Sequence, residues 1–292
     1  MAPARERNAA LLRASRRIDR ASRRKHLALT VLHELKSFFK DLKHAPKLGF
    51  AFLMRHPMAL AGQNTVTLPI RGVGPLHMRY RDSDAAVIRQ VFSRREYDLK
   101  KYPQERRLQA AYEAALAAGH TPLIIDCGAN IGIASIWFAK RYPKAQIVAI
   151  EPDPGNLSMC RPNVAPFANI RLVEGAIGAE AGAVDLASPT GQGYAVRTER
   201  TESGSTRIYT IAELRALAGP NAKLLLVKVD IEGFEADLFS TSTEWLDDTA
   251  ALIVEPHDWM LPGKHSSGPM QKAMFNRDFE MLVHRESLVF IR

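Results

Sequence analysis

Cysteine is scarce in this sequence of 292 residues: Cys127 and Cys160 are the only two, and both sit inside apolar stretches. That rules out a disulfide framework and points to a reducing compartment. No run of 18 apolar residues occurs, so no segment reads as a membrane span. The opening MAPARERNAALLRASRR has neither the apolar block nor the small-residue cleavage site of a secretory leader. Its arginines also suit a mitochondrial presequence, but the basic region runs straight on into an apparent helix, so the expectation is a cytoplasmic protein. Acidic residues are few at the same end. Residues 1–50 carry 13 Lys+Arg against 4 Asp+Glu, whereas the other 242 carry 27 of each. The net charge of +9 therefore belongs to the N-terminal extension. Hydrophobic residues at 46% and charged residues at 24% are ordinary for a soluble enzyme with a self-sufficient core.

The extension, taken as residues 1–62, contains a near-repeat, RASRRID then RASRRKH. On a helix its arginines at 13, 16, 17, 20, 23 and 24 form one basic stripe. Val31, Leu35, Phe38 and Leu42 then recur on one face, joined by Leu32 and Phe39, with His33, Lys36, Lys40 and Lys43 elsewhere. The plainer expectation is a solvated arm whose second half packs its apolar face inward. The functional alternative is peripheral contact of residues 1–45 with an anionic membrane.

Residues 63–292 read as one domain. NTVTLPIRGVGPLHMRY alternates around a Gly-Val-Gly turn and predicts a hairpin, and PQERRLQAAYEAALAAG predicts a helix. From residue 122 short apolar strands (near 122–127, 146–151, 169–174, 223–230 and 250–255) alternate with helices near 132–141, 154–164, 210–218 and 234–240. That pattern predicts an α/β fold with a doubly wound, mostly parallel sheet. The tail FEMLVHRESLVFIR leaves room for a hairpin only, so the sheet is expected to finish with an antiparallel strand at one edge. Residues 175–209, rich in glycine and serine, read as loop.

The run LIIDCGANIGIAS ends a strand and opens a helix, and IEPDP ends the next strand. Ligands of open parallel sheets sit beyond such strand ends. Glu151 is placed to take two ribose hydroxyls. Gly128 and Gly132 lack the middle glycine of a dinucleotide fingerprint, and Asp126 would repel a pyrophosphate. A ligand with ribose, ammonium and sulfonium suits this set better, and S-adenosylmethionine has all three.

In order, DCGANIGIAS, EPDP, EGAIG, KVDIEGFE and EPHDW, with MRYRDSDAAVIRQVFSRREYDL upstream, resemble the FkbM family of S-adenosylmethionine-dependent methyltransferases. The resemblance spans roughly residues 64–291. It implies a class I methyltransferase (Rossmann-like) fold of seven strands. It also implies methyl transfer to a hydroxyl oxygen of a sugar, glycolipid or polyketide-like small molecule. By motif, Asp126, Gly128, Asn130 and Gly132 would form the methionine-side turn with Ser135 nearby, Glu151 would hold ribose, and Ala176 and Ile177 would lie along adenine. Cys127 reads as a small buried hydrophobe.

An alcohol must lose its proton or be held by a metal to attack the methyl. Lys228, Asp230 and Glu232 in KVDIEGFE and His257 in EPHDW, with Glu255 alongside, are expected to converge there. His257, with an ordinary pKa of ~6.5, is the first expectation for the base, and Asp230 or Glu232 the second. Glu232 also suits a capping role beside the helix after Gly233. Lys228, in an apolar strand, requires a partner such as Asp230 or Asp126. The same side chains suit a divalent cation, but the spacing does not demand one, and no metal is expected. The acceptor pocket is expected from residues 188–205 and 258–270. Two rivals remain: a nucleic-acid methyltransferase using the basic arm, and a non-catalytic nucleotide-binding protein. Against the first, no Asn-Pro-Pro-Tyr-like or Pro-Cys motif occurs, and residues beyond the extension carry no net positive charge, so nucleic acid is not expected as a partner.

Overall fold

The computed structural model describes residues 31–80, 82–187, 197–200 and 204–292. The arginine stripe and much of the 188–205 segment lie outside these residues. The chain divides into two compact units, Met1–Pro75 and Leu76–Arg292.

In the first unit, residues 31–42 are helical, followed by short helices Ala45–Leu48 and Arg55–Leu60. The polar side of the long helix makes the buried contacts. Asp41 is fully buried and accepts from Arg55 Nε at 2.5 Å, while Arg55 Nη2 donates to Ser37 at 2.6 Å. The two ring nitrogens of His56 lie 2.8 Å from Glu34 and 3.0 Å from Asp41. The apolar stripe is only partly covered: Phe38 is half-buried and meets the His56 ring edge-on, whereas Val31, Leu32, Leu35, Phe39 and Leu42 are exposed. Asp41 turns inward instead, where Arg55 and His56 satisfy a carboxylate that would be costly to bury unpaired. The strands expected around Gly-Val-Gly are present as β1 (Thr65–Ile70) and β2 (Gly74–Arg79), and Val73 N–H donates to the Ile70 carbonyl at the turn.

The second unit is built on a seven-stranded sheet. Its strands are β3 (Thr121–Cys127), β4 (Gln146–Glu151), β5 (Ile170–Glu174), β10 (Ala222–Val229), β11 (Ala251–Val254), β12 (Glu280–His284) and β13 (Ser287–Ile291). Across the sheet they run β12-β13-β11-β10-β3-β4-β5. The five strands from β5 to β11 are parallel, and β13 is antiparallel to both β11 and β12. The antiparallel strand is thus one place in from the edge, not at it: β13 returns from the Arg285–Glu286 turn and slots between β11 and β12. The expected helices appear as Glu105–Ala117, Ile133–Arg141, Pro154–Val164, Ile211–Leu217 and Glu235–Leu238, with a further one at Gly268–Phe275.

Both sheet faces are covered, as near-continuous apolar strands require. Leu123, Ile125 and Cys127 point into one core with Leu214 and Met270, while Ile124 joins Leu108, Ala134 and Phe138 on the other side. Residues 175–209 depart from the expectation of loop. They form β6 (Ala176–Ile177), β7 (Gly182–Ala187), β8 (Arg197–Arg200) and β9 (Thr206–Tyr209), a second sheet ordered β6-β9-β7-β8. Among the described residues, Gly175 and Gly178 flank β6, and Gly204 and Ser205 lead into β9. Strand order reverses between β3 and β10, whose carboxyl ends open the crevice that holds the site.

Candidate active site

Gly128 leaves β3 with φ +83°, and a Cβ there would lie 1.9 Å from the Asp230 carbonyl oxygen. Only glycine permits that approach of the β3 and β10 ends. Asn130 follows in the left-handed region at φ +52°, and its side-chain oxygen accepts from Ile131 N–H. The turn thereby aims the Asn130 N–H at Glu151 Oε2, 2.7 Å away at the end of β4. Glu151 Oε1 accepts from Asp153 N–H at 3.0 Å and from Asn156 Nδ2 at 3.2 Å. Burial pushes the Glu151 carboxyl upward in pKa, and the two backbone donors pull the other way.

Gly128, Asn130, Glu151, Ala176 and Ile177 line one pocket, together with Asp230, Glu232 and Phe234. The other three residues expected at the turn do not line it. Asp126 is fully buried, 2.5 Å from the Ser135 hydroxyl and 3.2 Å from Lys228 Nζ. Its charge is answered inside the protein, since β3–β10 pairing sets Asp126 directly opposite Lys228. Ser135 is fully buried as well. Gly132 serves packing: a Cβ there would meet Val164 at 2.6 Å and Cys160 Sγ at 3.0 Å. Cys127 and Cys160 are buried free thiols, their pKa pushed up chiefly by that burial.

Lys228 lies beneath the pocket. Its ammonium donates to the Gly128 carbonyl at 2.7 Å and lies 3.3 Å from Asp230 Oδ2. Burial opposes its charge, but Asp126 and Asp230 outweigh that and hold its pKa well above the ordinary lysine value. A buried ammonium with these partners positions the turn.

Asp230, Glu232 and Glu255 gather around His257. From the imidazole Nε2 the nearest carboxylate oxygens are at 3.7, 3.7 and 3.8 Å respectively, too far for hydrogen bonds. On the other side of the ring, Nδ1 lies 2.8 Å from Oε1 of Glu235, itself buried. Burial pushes Glu232 up to about 7 and Glu255 to about 8, with Asp230 adding to each. For His257 burial opposes the charge, yet Glu235, then Asp230 and Glu232, raise it to about 9. With Glu235 on Nδ1 and three carboxylates facing Nε2, this imidazole stands in a strongly acidic setting. Glu232 has φ +54°, a left-handed conformation rare outside glycine. Such strain gathers where side chains must be aimed.

Five contributors escaped the sequence reading. Glu235 orients His257 from the last position of KVDIEGFE. Asn156 bridges Glu151 to Arg79, whose Nη2 donates to Asn156 Oδ1 at 2.8 Å. Asp153 caps the helix after β4, accepting from Asn156 N–H. Tyr97, raised in pKa chiefly by burial, also feels the charges of Lys228, Asp230, Asp126 and Glu255. Arg79 and Tyr97 stand in the lead-in segment, which gave no hint of which side chains reach the crevice. In 258–270, Asp258 accepts from Ser266 and Ser267 and folds that segment back on itself.

With this geometry in view, the comparison that decides the family is sequence-based. A family model, the methyltransferase FkbM domain, matches residues 126–281, just over half of the chain. The chain belongs to the FkbM methyltransferase family. Among curated relatives, the 2-O-methyltransferase NoeI of Sinorhizobium fredii (strain NBRC 101917 / NGR234) is 28% identical over 155 residues, covering 47% of this chain and 64% of NoeI. Methyltransferase sdnD of Sordaria araneosa is 32% identical over 68 residues, 22% of this chain and 26% of sdnD. This FkbM-family chain therefore spans less than two thirds of either relative. Among solved structures, methyltransferase FkbM from Methylobacillus flagellatus KT matches with a TM-score of 0.42 and 14% identity, over 59% of this chain and 44% of that one. The FkbM match begins at Asp126 and takes in every pocket residue named above.

Proposed function

We propose that the protein transfers a methyl group from S-adenosylmethionine to a hydroxyl oxygen of a sugar, glycolipid or polyketide-like small molecule. One observation carries this reading: Asp230 and Glu232 line the same pocket as Gly128, Glu151, Ala176 and Ile177, so a nucleoside site and an acidic cluster share a wall. The printed activity of NoeI, a 2-O-methyltransferase, supports oxygen as the acceptor.

The pocket suits the donor chemically. Glu151 has three donors from the chain and keeps lone-pair capacity for a ribose hydroxyl. Ala176 and Ile177 offer an apolar wall for adenine, and Gly128 brings backbone close to the methionine end. When bound, S-adenosylmethionine supplies a methyl on a sulfonium, an electrophile needing an aligned oxygen more than a strong base. Glu232, strained and facing the pocket, receives the proton the acceptor oxygen releases. Asp230 and His257 hold that oxygen in place, and Lys228 fixes the Gly128 turn beneath. Exposed Leu32, Leu35 and Phe39 beside exposed Lys36, Lys40 and Lys43 support peripheral contact of the first unit with an anionic bilayer.

Calorimetric titration of S-adenosylhomocysteine, with NAD for comparison, tests the donor. Micromolar binding lost in Glu151→Ala is expected, and NAD binding instead would overturn the reading. With an acceptor in hand, Glu232→Gln should lower kcat by roughly 100-fold or more while donor affinity holds. Unchanged turnover would remove Glu232 from its role.

A further inference from the structure

We propose that Asp230, Glu255 and His257 form a binding site for a divalent cation of the Mn2+ type, set to hold the acceptor oxygen beside the donor pocket. The proposal deepens the methyl-transfer reading and rests on it for its purpose, but not for its chemistry.

Geometry comes first. One ligand atom from each of the three residues lies within 4.8 Å of the other two. Nε2 of His257 is 3.7 Å from Asp230 Oδ1 and 3.8 Å from Glu255 Oε1. At metal–ligand bonds of about 2.0–2.2 Å, angles from tetrahedral to about 120° put two donors roughly 3.3–3.8 Å apart. The two spacings from His257 are too long for hydrogen bonds and fall within that range, and the two carboxylates lie within 4.8 Å of each other.

The second observation is His257 itself. It is only 2% exposed, and among the described residues Nε2 has no hydrogen-bond partner although it points into the acids. Its other nitrogen is held at 2.8 Å by Glu235, which is equally buried. A buried carboxylate fixing one ring nitrogen while the other faces two more carboxylates is the arrangement that orients a metal-bound imidazole.

Charge agrees. Asp230, Glu232, Glu235 and Glu255 crowd one imidazole, and the nearby Lys228 is shared with Asp126. The backbone explains the convergence. β10 and β11 pair Val229 with Val254, so Asp230 and Glu255 leave adjacent strand ends together, and His257 follows two residues later. One imidazole among two carboxylates points to a first-row transition ion over Mg2+ or Ca2+, and Mn2+ is the member of that series most at home among carboxylates. Three protein ligands leave positions for water and an acceptor hydroxyl, whose oxygen the ion would make more acidic. Glu232, outside the triad, remains free to take the proton.

The test uses the full chain, stripped with chelator and titrated with MnCl2 while the free Mn2+ signal is followed by electron paramagnetic resonance. One ion per chain is expected. Affinity should fall by roughly tenfold or more in Glu255→Gln and His257→Asn, and 10–100-fold in Glu235→Gln. Glu232→Gln should bind Mn2+ as the parent does. The conservative, partly exposed Glu255→Gln guards against misfolding, checked by its thermal melt. No uptake at millimolar Mn2+, or uptake unchanged in Glu255→Gln and His257→Asn, would overturn the site. S-adenosylhomocysteine binding is measured in parallel. Its absence while Mn2+ still binds would sink the methyl-donor reading and leave the cation site standing.

Discussion

Lys228 shows how one side chain can be costly and indispensable at once. Its ammonium is buried against Asp126, Asp230 and the Gly128 carbonyl. Lys228→Met would strand Asp126 without a cation, and breaking a buried pair in this way costs about 3–5 kcal/mol. Chemical denaturation should show that loss, and adding Asp126→Asn should recover part of it. Glu96 is a buried carboxyl of another kind. One of its oxygens has no hydrogen bond, and Arg285 is 3.8 Å away. Burial raises it to about 7 from an ordinary 4.5. Because the fold favours the protonated acid, no penalty exists below the unfolded value. The penalty grows as pH rises from there to about 7 and is constant above. Glu96→Gln should therefore raise the melting temperature at pH 8 and change it little at pH 4. Equal shifts at the two pH values would contradict this account.

At the scale of elements, the helix Pro154–Val164 links fold and pocket. Its cap, Asp153, holds Asn156 N–H, and Asn156 in turn holds Glu151. Asp153→Ala should cost about 1 kcal/mol in stability and weaken S-adenosylhomocysteine binding in the same protein. Retained binding at full strength would show the cap to be purely structural. The helix bounds were legible in the sequence because proline, aspartate and apolar spacing act locally. Glu151 was legible too, as the acidic stop of a strand. The four strands between Ala176 and Tyr209 were not, because short strands flanked by glycine and serine look like the turns that join them. Glu235 and Arg79 were equally hidden. Their importance comes from partners 22 and 77 residues away in the chain, His257 and Asn156, and no local pattern records such distances. Asp126 was legible as a carboxylate beside a glycine turn, but nothing local records that Lys228 of the neighbouring strand stands opposite it.

For the molecule as a whole, charge is sorted along the chain. The surplus of nine positive charges lies within residues 1–50, and the remainder is neutral. Among the described residues no helix is long and apolar enough to cross a membrane. The contact proposed for the first unit with an anionic bilayer should depend on salt. Sedimentation with phosphatidylglycerol vesicles should capture the full chain at low ionic strength, and far less with phosphatidylcholine vesicles or at about 0.5 M salt, where the Debye length shrinks to roughly 4 Å. Leu35→Glu with Phe39→Glu should abolish capture without altering S-adenosylhomocysteine binding. Capture that ignores lipid charge would contradict this reading.

One atom joins the two halves of the crevice. Nζ of Lys228 touches the Gly128 carbonyl on one side and the Asp230 carboxylate on the other. An ion that draws Asp230 away from the ammonium must change the pull on the turn, and a nucleoside that settles on the turn must change the reach of Asp230. Occupancy of either half then alters affinity in the other, by the same factor in both directions, as thermodynamic reciprocity requires.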